Sequence, residues 1–108
     1  MNKYRARKVT VDFIRFDSTA EAKRYGELKL LRRAKEITDI AVHPVFHFDV
    51  AGIRVAPYIA DFQYYDLRSG KTVVEDVKSP VTAKLSTFRM KKKLMLALYG
   101  IEIKEVRA

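Results

Sequence analysis

Three charged residues with the chemistry to bind a metal ion and act on a phosphate lie within one short stretch. Asp61 interrupts an apolar and aromatic run, and Asp76 and Lys78 interrupt a run of valines. Side chains alternate across a strand, so Asp76 and Lys78 share a face, about 6.6 Å apart along the strand. Charges inside apolar runs favour a functional site over an ordinary solvated surface.

The sequence around these residues predicts a hairpin. Residues 58–66 and 71–78 have the composition of two strands, and Ser69-Gly70 is typical of a two-residue turn between them. The number of residues in that loop decides which side chains lie opposite one another. It therefore decides whether the three charges meet.

A two-residue turn pairs Asp61 with Lys78 and Gln63 with Asp76, and directly opposed residues share a face. The two aspartates are then diagonal neighbours, about 7–8 Å apart at their Cα atoms. We expect a four-residue loop to keep this pairing and a three-residue loop to break it. Glu75 points to the opposite face and is left out of the predicted patch.

Such a patch is electrostatically unfavourable by itself. Two like charges about 4 Å apart repel by roughly 4 kcal/mol at an effective dielectric near 20. A surface ion pair returns only about 0–1 kcal/mol. A divalent cation offsets the repulsion directly, and Mg²⁺ binds through one or two carboxylates together with phosphate oxygens. The alternative is a solvated sheet face with a cross-strand Asp–Lys pair, which arises often by chance.

Composition limits the class of protein. The 108 residues are 48% hydrophobic, which predicts a single folded domain over residues 1–108. The absence of cysteine excludes disulfides, thiolate zinc sites and a cysteine nucleophile. The sequence has no membrane-length apolar run and no signal-peptide core, so we expect a cytoplasmic protein. His43 and His47 receive no catalytic role, because a lone histidine near a strand is more often structural.

The net charge of +9 favours a polyanionic partner. Residues 1–8 are typical of a flexible basic arm, and a second basic block without acidic residues follows Lys78. We expect both blocks to contact DNA phosphates. Their members are Lys3, Arg5, Arg7 and Lys8 in the first block, and Lys84, Arg89, Lys91, Lys92 and Lys93 in the second.

The first long helix has a clear start signal. Ser18 and Glu21 form an S-x-x-E capping box, and the apolar periodicity continues to about Ala34 or Lys35. Glu21 also lies on the helix face of Tyr25, four positions later, so it could reach a site on the sheet. Spacing alone favours the cap, and the two roles are compatible.

The remaining elements complete a helix–strands–helix–strand order. Strands are predicted at residues 9–16, with a turn near Asp12, and at 37–42, 45–50, 53–56 and 101–106. A helix is predicted from Lys84 to Tyr99, ending at Gly100 as its C′ residue. Leu94 to Tyr99 is apolar on every side, so we expect this half of the helix to be buried.

With Glu21, Asp61, Asp76 and Lys78 placed on this order, the chain resembles the PD-(D/E)xK nuclease superfamily. That resemblance implies an α/β (α+β) fold with a restriction-endonuclease-like αβββαβ core, a mixed sheet between two helices. The segments FDSTAEAKRYGELKLL, YIADFQYYD, VVEDVK and KKLMLALYGIEI resemble a family of small phage-borne proteins associated with Holliday-junction resolution. Ala60 stands where the superfamily's proline is usual.

The resemblance also implies residue roles. Asp61 and Asp76 match the metal-binding acids, and Lys78 matches the lysine that positions or deprotonates water or stabilises the transition state. Glu21 matches a helix glutamate that many members add as a further ligand. The Val77 carbonyl is a possible further oxygen ligand.

These roles imply a Mg²⁺-dependent endodeoxyribonuclease, with Mn²⁺ possible, that acts on branched DNA in a bacterial cell hosting a phage or prophage. A homodimer is possible by the same analogy. The alternative is a non-catalytic DNA-binding protein of the same fold. RNA processing finds no support in an aromatic RNA-binding motif.

Overall fold

A computed structural model describes residues 8–108 of the chain. This range forms eight strands and three helices. In chain order they are β1 (Val9–Val11), β2 (Ile14–Phe16), α1 (Thr19–Arg33), β3 (Ile37–Val42), β4 (Val45–Val50), β5 (Ile53–Ile59), β6 (Phe62–Asp66), β7 (Lys71–Lys78), α2 (Pro80–Ala83), α3 (Ser86–Tyr99) and β8 (Lys104–Arg107).

The fold is α+β and is built on a mixed four-stranded sheet with the order β3-β6-β7-β8. The pairs β3–β6 and β6–β7 are antiparallel, and β7–β8 is parallel. The predicted α+β class and mixed sheet, with the order helix, antiparallel strands, helix and strand, are confirmed. The hairpins β1–β2 and β4–β5 form separate two-stranded sheets. No helix within residues 8–108 is long and apolar enough to cross a membrane.

The sheet has a hydrophobic core on each face because the apolar residues of β6 and β7 alternate. Phe62, Tyr64 and Val77 pack with Tyr25 and Leu28 of α1 on one face. On the other face Val74 packs with residues of α3 and the β4–β5 hairpin, among them Phe88, Met95, Phe48 and Tyr58. The central strand β7 is therefore enclosed from both sides.

The predicted start of α1 is confirmed. The Ser18 side chain accepts a hydrogen bond from the Glu21 backbone N–H at 3.1 Å, which satisfies one of the free donors of the first turn. Tyr25 and Leu28 are buried as expected. At the other end of the fold Gly100 adopts φ +67°, a left-handed conformation that suits glycine, and closes α3 as predicted.

The predicted hairpin is wrong in two respects. Residues 58–66 are not one strand: Tyr58 and Ile59 pair with β4, and the chain bends at Ala60-Asp61 before β6 begins. The loop to β7 contains four residues rather than two, because Asp66 pairs with Lys71.

The four-residue loop also shifts the pairing that we expected it to keep. Gln63 lies opposite Val74 rather than Asp76, and continuing this register puts Asp61 level with Asp76 rather than with Lys78. A change of two residues in loop length slides one strand by two positions and leaves every side chain on its face. The predicted face for Asp76 is therefore unaffected by the error.

The second half of α3 is not buried on all sides. Met95 is buried, but Leu96 is 56% exposed, and Leu98 and Tyr99 are also exposed. The helix begins at Ser86, after the separate short helix α2, rather than at Lys84. The last strand is also shorter than residues 101–106 and begins at Lys104. Only one side of α3 meets the sheet and hairpin, so the apolar side chains on its other side stay in solvent.

Candidate active site

The predicted acidic residues meet where β6 begins and β7 ends. The bend at Asp61 is held by its own backbone, since its N–H donates to the Glu75 carbonyl at 3.1 Å. The Asp61 carboxylate accepts a hydrogen bond from the Val77 N–H at 2.7 Å, between Asp76 and Lys78 in sequence. This contact ties Asp61 to the end of β7 and places it beside Asp76.

Asp76 is a buried carboxyl group, with 1% of its surface exposed. Its Oδ2 accepts a hydrogen bond from the Tyr58 hydroxyl, which reaches it from the β4–β5 hairpin. Burial raises the pKa of Asp76 to about 7, and the charge of Asp61 adds to this, whereas the Tyr58 hydrogen bond and Lys78 oppose it. The chain therefore maintains this acid at a considerable energetic cost.

Asp61 and Glu21 share this environment. Burial is the main cause that raises the pKa of Asp61, and the nearby charge of Glu21 raises it further, although the Val77 N–H lowers it. Burial is also the main cause that raises the pKa of Glu21, and the charge of Asp76 contributes a smaller part. Three carboxyl groups that each disfavour ionisation thus lie within reach of one another's charges.

One carboxylate oxygen of Glu21 has no hydrogen-bond partner among residues 8–108. This oxygen, Oε2, is buried. The Glu21 side chain takes part in the helix start through the Asp17 backbone, a contact that lowers its pKa. This end of the helix is thus capped by Ser18, while the Glu21 carboxylate lies close to His43 and Asp61.

Lys78 lies next to the carboxylates and leans toward α3. Its Nζ lies 4.8 Å from the centroid of the Phe88 ring. Its charge lowers the pKa values of Asp61 and Asp76. A cleft of about 170 Å³ opens here, and Lys91 of α3 lines it together with Lys78. The cleft thus has two lysines in its lining, one of which neighbours the acidic cluster.

Glu75 points away from this cluster, as the alternation of β7 predicts. It is fully buried on the α1 side, where Arg24 binds both of its carboxylate oxygens at 2.8 and 2.7 Å. Tyr64 also donates to it. Glu75 therefore belongs to the packing between α1 and the sheet and is not part of the acidic cluster.

The predicted DNA-binding residues that the structure describes lie on more than one surface of the molecule. Lys91 lies over the Tyr58 ring, 5.9 Å from its centroid, beside the cleft. Lys92 forms an ion pair with Glu105 at 2.7 Å, and Arg89 and Lys93 line another groove. Lys84 and Lys8 are exposed, whereas Lys3, Arg5 and Arg7 lie outside the described residues.

Sequence reasoning missed His43. Donor atoms of Glu21, His43 and Asp61 all lie within 4.8 Å of one another. Val42, the last residue of β3, pairs with Phe62, the first residue of β6, so His43 lies level with Asp61. The sequence of β3 by itself contains no sign of its partner strand, so only the sheet order could have revealed this neighbour.

These donors fit a divalent cation. Ligands about 2.1 Å from one ion are at most about 4.2 Å apart, so small side-chain rotations bring the three groups to a common point. The unpartnered Glu21 Oε2 is an available oxygen donor at that point. Carboxylate oxygens with one imidazole form a donor set used for divalent metals.

Comparison with known proteins gives one family. A family described as "Protein of unknown function (DUF1064)" matches residues 1–107. No curated protein and no solved structure matches the chain.

Proposed function

The chain belongs to the DUF1064 family, and we propose that it is a metal-dependent DNA endonuclease. One observation supports this most strongly: Glu21, Asp61 and Asp76 converge beside Lys78 with pKa values raised by burial. A stable fold has no use for three such acids together, because each is better solvated alone. A bound cation offsets their repulsion.

The residues divide the work of phosphodiester hydrolysis. Asp61, Asp76 and Glu21 would hold the cation, which when bound supplies Lewis acidity at the phosphate and lowers the pKa of a water molecule. Lys78 would orient or deprotonate the attacking water, or stabilise the negative charge on the phosphate oxygens in the transition state. Water adds to phosphorus, the bond to the leaving sugar oxygen breaks, and that oxygen takes up a proton.

The net charge and the basic side chains beside the cleft support nucleic acid as the substrate. Lys91 lines the cleft of Lys78, where it can bind the phosphate next to the scissile one. Selectivity for branched DNA, as in Holliday-junction resolution, dimeric assembly and a cytoplasmic setting belong to this proposal. They follow from the resemblance to PD-(D/E)xK nucleases and small phage-borne proteins.

The test is cleavage of plasmid and four-way-junction DNA by the full chain, with Mg²⁺ or with EDTA. Asp61→Asn, Asp76→Asn and Lys78→Ala should each abolish cleavage and leave DNA binding largely intact, because binding uses other side chains. The matched control is Asp49→Asn, which removes an exposed carboxylate that pairs with Arg54 on the outlying hairpin.

The variants distinguish a nuclease from a DNA-binding protein of the same fold. Wild-type chain that binds DNA without cutting it under any divalent metal would support the non-catalytic alternative. Undiminished cleavage by Asp76→Asn would show that the chemistry lies elsewhere.

A further inference from the structure

His43 lies among the proposed metal ligands without having been assigned to them. One of its ring nitrogens lies within 4.8 Å of a carboxylate oxygen of Glu21 and of a carboxylate oxygen of Asp61. The residue stands directly after β3 with φ +54°, a left-handed conformation in which histidine is more frequent than most side chains. An imidazole beside two partly buried carboxylates can supply a third donor to a cation that they bind.

The surroundings of His43 fix where its ring can go. Its backbone N–H donates to the Asp61 carbonyl at 3.0 Å, so the two residues are bound to each other through the main chain. The ring centroid lies 5.8 Å from that of Phe16, which is fully buried. The backbone contact and the Phe16 ring together hold the imidazole beside the carboxylates.

We propose that Glu21, His43 and Asp61 form a metal site with one nitrogen donor that selects a transition-metal ion such as Mn²⁺ over Mg²⁺. The proposal deepens the proposed function and rests on its metal site. Mg²⁺ prefers an all-oxygen shell and keeps several waters. An imidazole donor favours first-row transition metals. The nitrogen therefore changes which ion is held, not only how tightly.

The experiment uses the full metal-free chain without DNA. Mn²⁺ and Mg²⁺ are titrated separately by calorimetry, and the Mn²⁺ complex is studied by pulsed electron paramagnetic resonance, which detects a bound imidazole nitrogen. We expect tighter binding of Mn²⁺ and a clear nitrogen modulation.

Two histidine variants locate the nitrogen. His43→Asn suits a left-handed residue and replaces nitrogen by an amide oxygen. It should abolish the modulation and weaken Mn²⁺ binding at least about tenfold, with a much smaller change for Mg²⁺. The control His47→Asn removes the exposed histidine of β4 and should change neither quantity.

The outcomes separate this inference from the proposed function. Mn²⁺ bound only by oxygen, or equal losses for both ions in His43→Asn, overturns the role of His43 even if the chain cuts DNA. Nitrogen-coordinated Mn²⁺ in a chain that cuts no DNA supports the site and overturns the nuclease. If His43→Asn fails to fold, His47→Asn decides: a retained nitrogen modulation assigns the donor to His43, since the chain has two histidines, and a lost modulation overturns that role.

Discussion

At the scale of single residues, the site is defined by acids kept in unfavourable surroundings. Asp76 illustrates this, because its carboxyl group is almost fully buried. Among the described residues, one side chain donates a hydrogen bond to it, the Tyr58 hydroxyl. A carboxyl group in that position binds a proton readily when no cation is present. Proton and metal therefore compete for the same oxygens.

The stability of metal-free protein should consequently fall as pH rises from about 4 to about 7. The folded-state pKa of Asp76 is raised from 3.8 to about 7, so the folded chain binds the extra proton in this interval. The full effect is on the order of 4 kcal/mol, because one pKa unit corresponds to about 1.4 kcal/mol. Burial is the main cause that raises this pKa and the charge of Asp61 raises it further, whereas the Tyr58 hydrogen bond and Lys78 lower it.

Urea unfolding in EDTA across this pH interval measures the effect. Asp76→Asn should flatten the pH dependence and should be more stable than the wild type at pH 7. Parallel pH profiles for the two proteins would mean that Asp76 ionises at an ordinary pH.

Glu21 can be tested for its two roles. Glu21→Gln keeps a hydrogen-bonding group at the third helical position, so unfolding free energy should change by no more than about 1 kcal/mol. The cleavage rate should fall by much more than this change in stability explains, because glutamine offers the metal no charged oxygen. A loss of activity that merely follows the loss of stability, measured at matched folded fractions, would assign Glu21 to the helix cap alone.

At the scale of elements, a buried ion pair joins α1 to the central strand. Arg24 binds both oxygens of Glu75, and it lies one helical turn after Glu21. The charge of Glu75 and its hydrogen bond raise the pKa of Arg24, which stays protonated. Because Glu75 precedes Asp76, this contact fixes the distance between the helix and strand that supply the acids.

Glu75→Gln should therefore destabilise the chain by about 3–5 kcal/mol, the usual cost of leaving one partner of a buried pair alone. The control is Glu27→Gln, which removes a half-exposed contact of the same arginine at 3.1 Å and should cost less than about 1 kcal/mol. Equal, small losses in denaturant unfolding would show that the buried pair contributes no net stability.

Local signals predicted most of the elements but not their partners. The cap at Ser18, the strand at residues 37–42 and the end at Gly100 depend on neighbours in sequence and were predicted correctly. The break at Ala60-Asp61 was missed because apolar alternation continues across two strands with different partners. The exposed side of α3 was missed because composition reveals how apolar a helix is, not how many layers cover it.

The candidate site divides in the same way. Strand alternation placed Asp76 and Lys78 on one face and Glu75 on the other, and this arrangement is observed. The neighbours from outside the hairpin, Tyr58 beside Asp76 and His43 beside Asp61, depend on how separate strands pair. Those contacts are long-range in sequence and leave no periodic signal.

At the scale of the whole molecule, the positive charge is spread over several surfaces. One of them adjoins the candidate site and another does not. Lys91 lines the cleft of Lys78, whereas Lys93 lies in a groove with Arg89 and Glu102. The basic block of α3 thus serves two surfaces rather than one. Position relative to the cleft should decide what each lysine contributes.

Lys91→Ala should weaken DNA binding and also slow cleavage at saturating DNA, because a misplaced phosphate misses the acids. Lys93→Ala should only weaken binding. Each lost phosphate contact should flatten the plot of log affinity against log salt by about 0.9 on duplex DNA. Salt-dependent binding and single-turnover cleavage check both variants, and identical effects would make α3 a general electrostatic surface.

The β4–β5 hairpin should make Asp76 and Asp61 exchange protons and cations at different rates. A two-stranded hairpin is marginally stable alone, so β4–β5 is held mainly by Phe48 and Tyr58 in the core beside α3. We therefore expect it to open at a lower free energy than the whole domain, while the four-stranded sheet stays folded. Each opening removes the Tyr58 hydroxyl and admits water to Asp76, while Asp61 keeps the Val77 amide. Protons and cations should then enter and leave at Asp76 at the rate at which the hairpin opens.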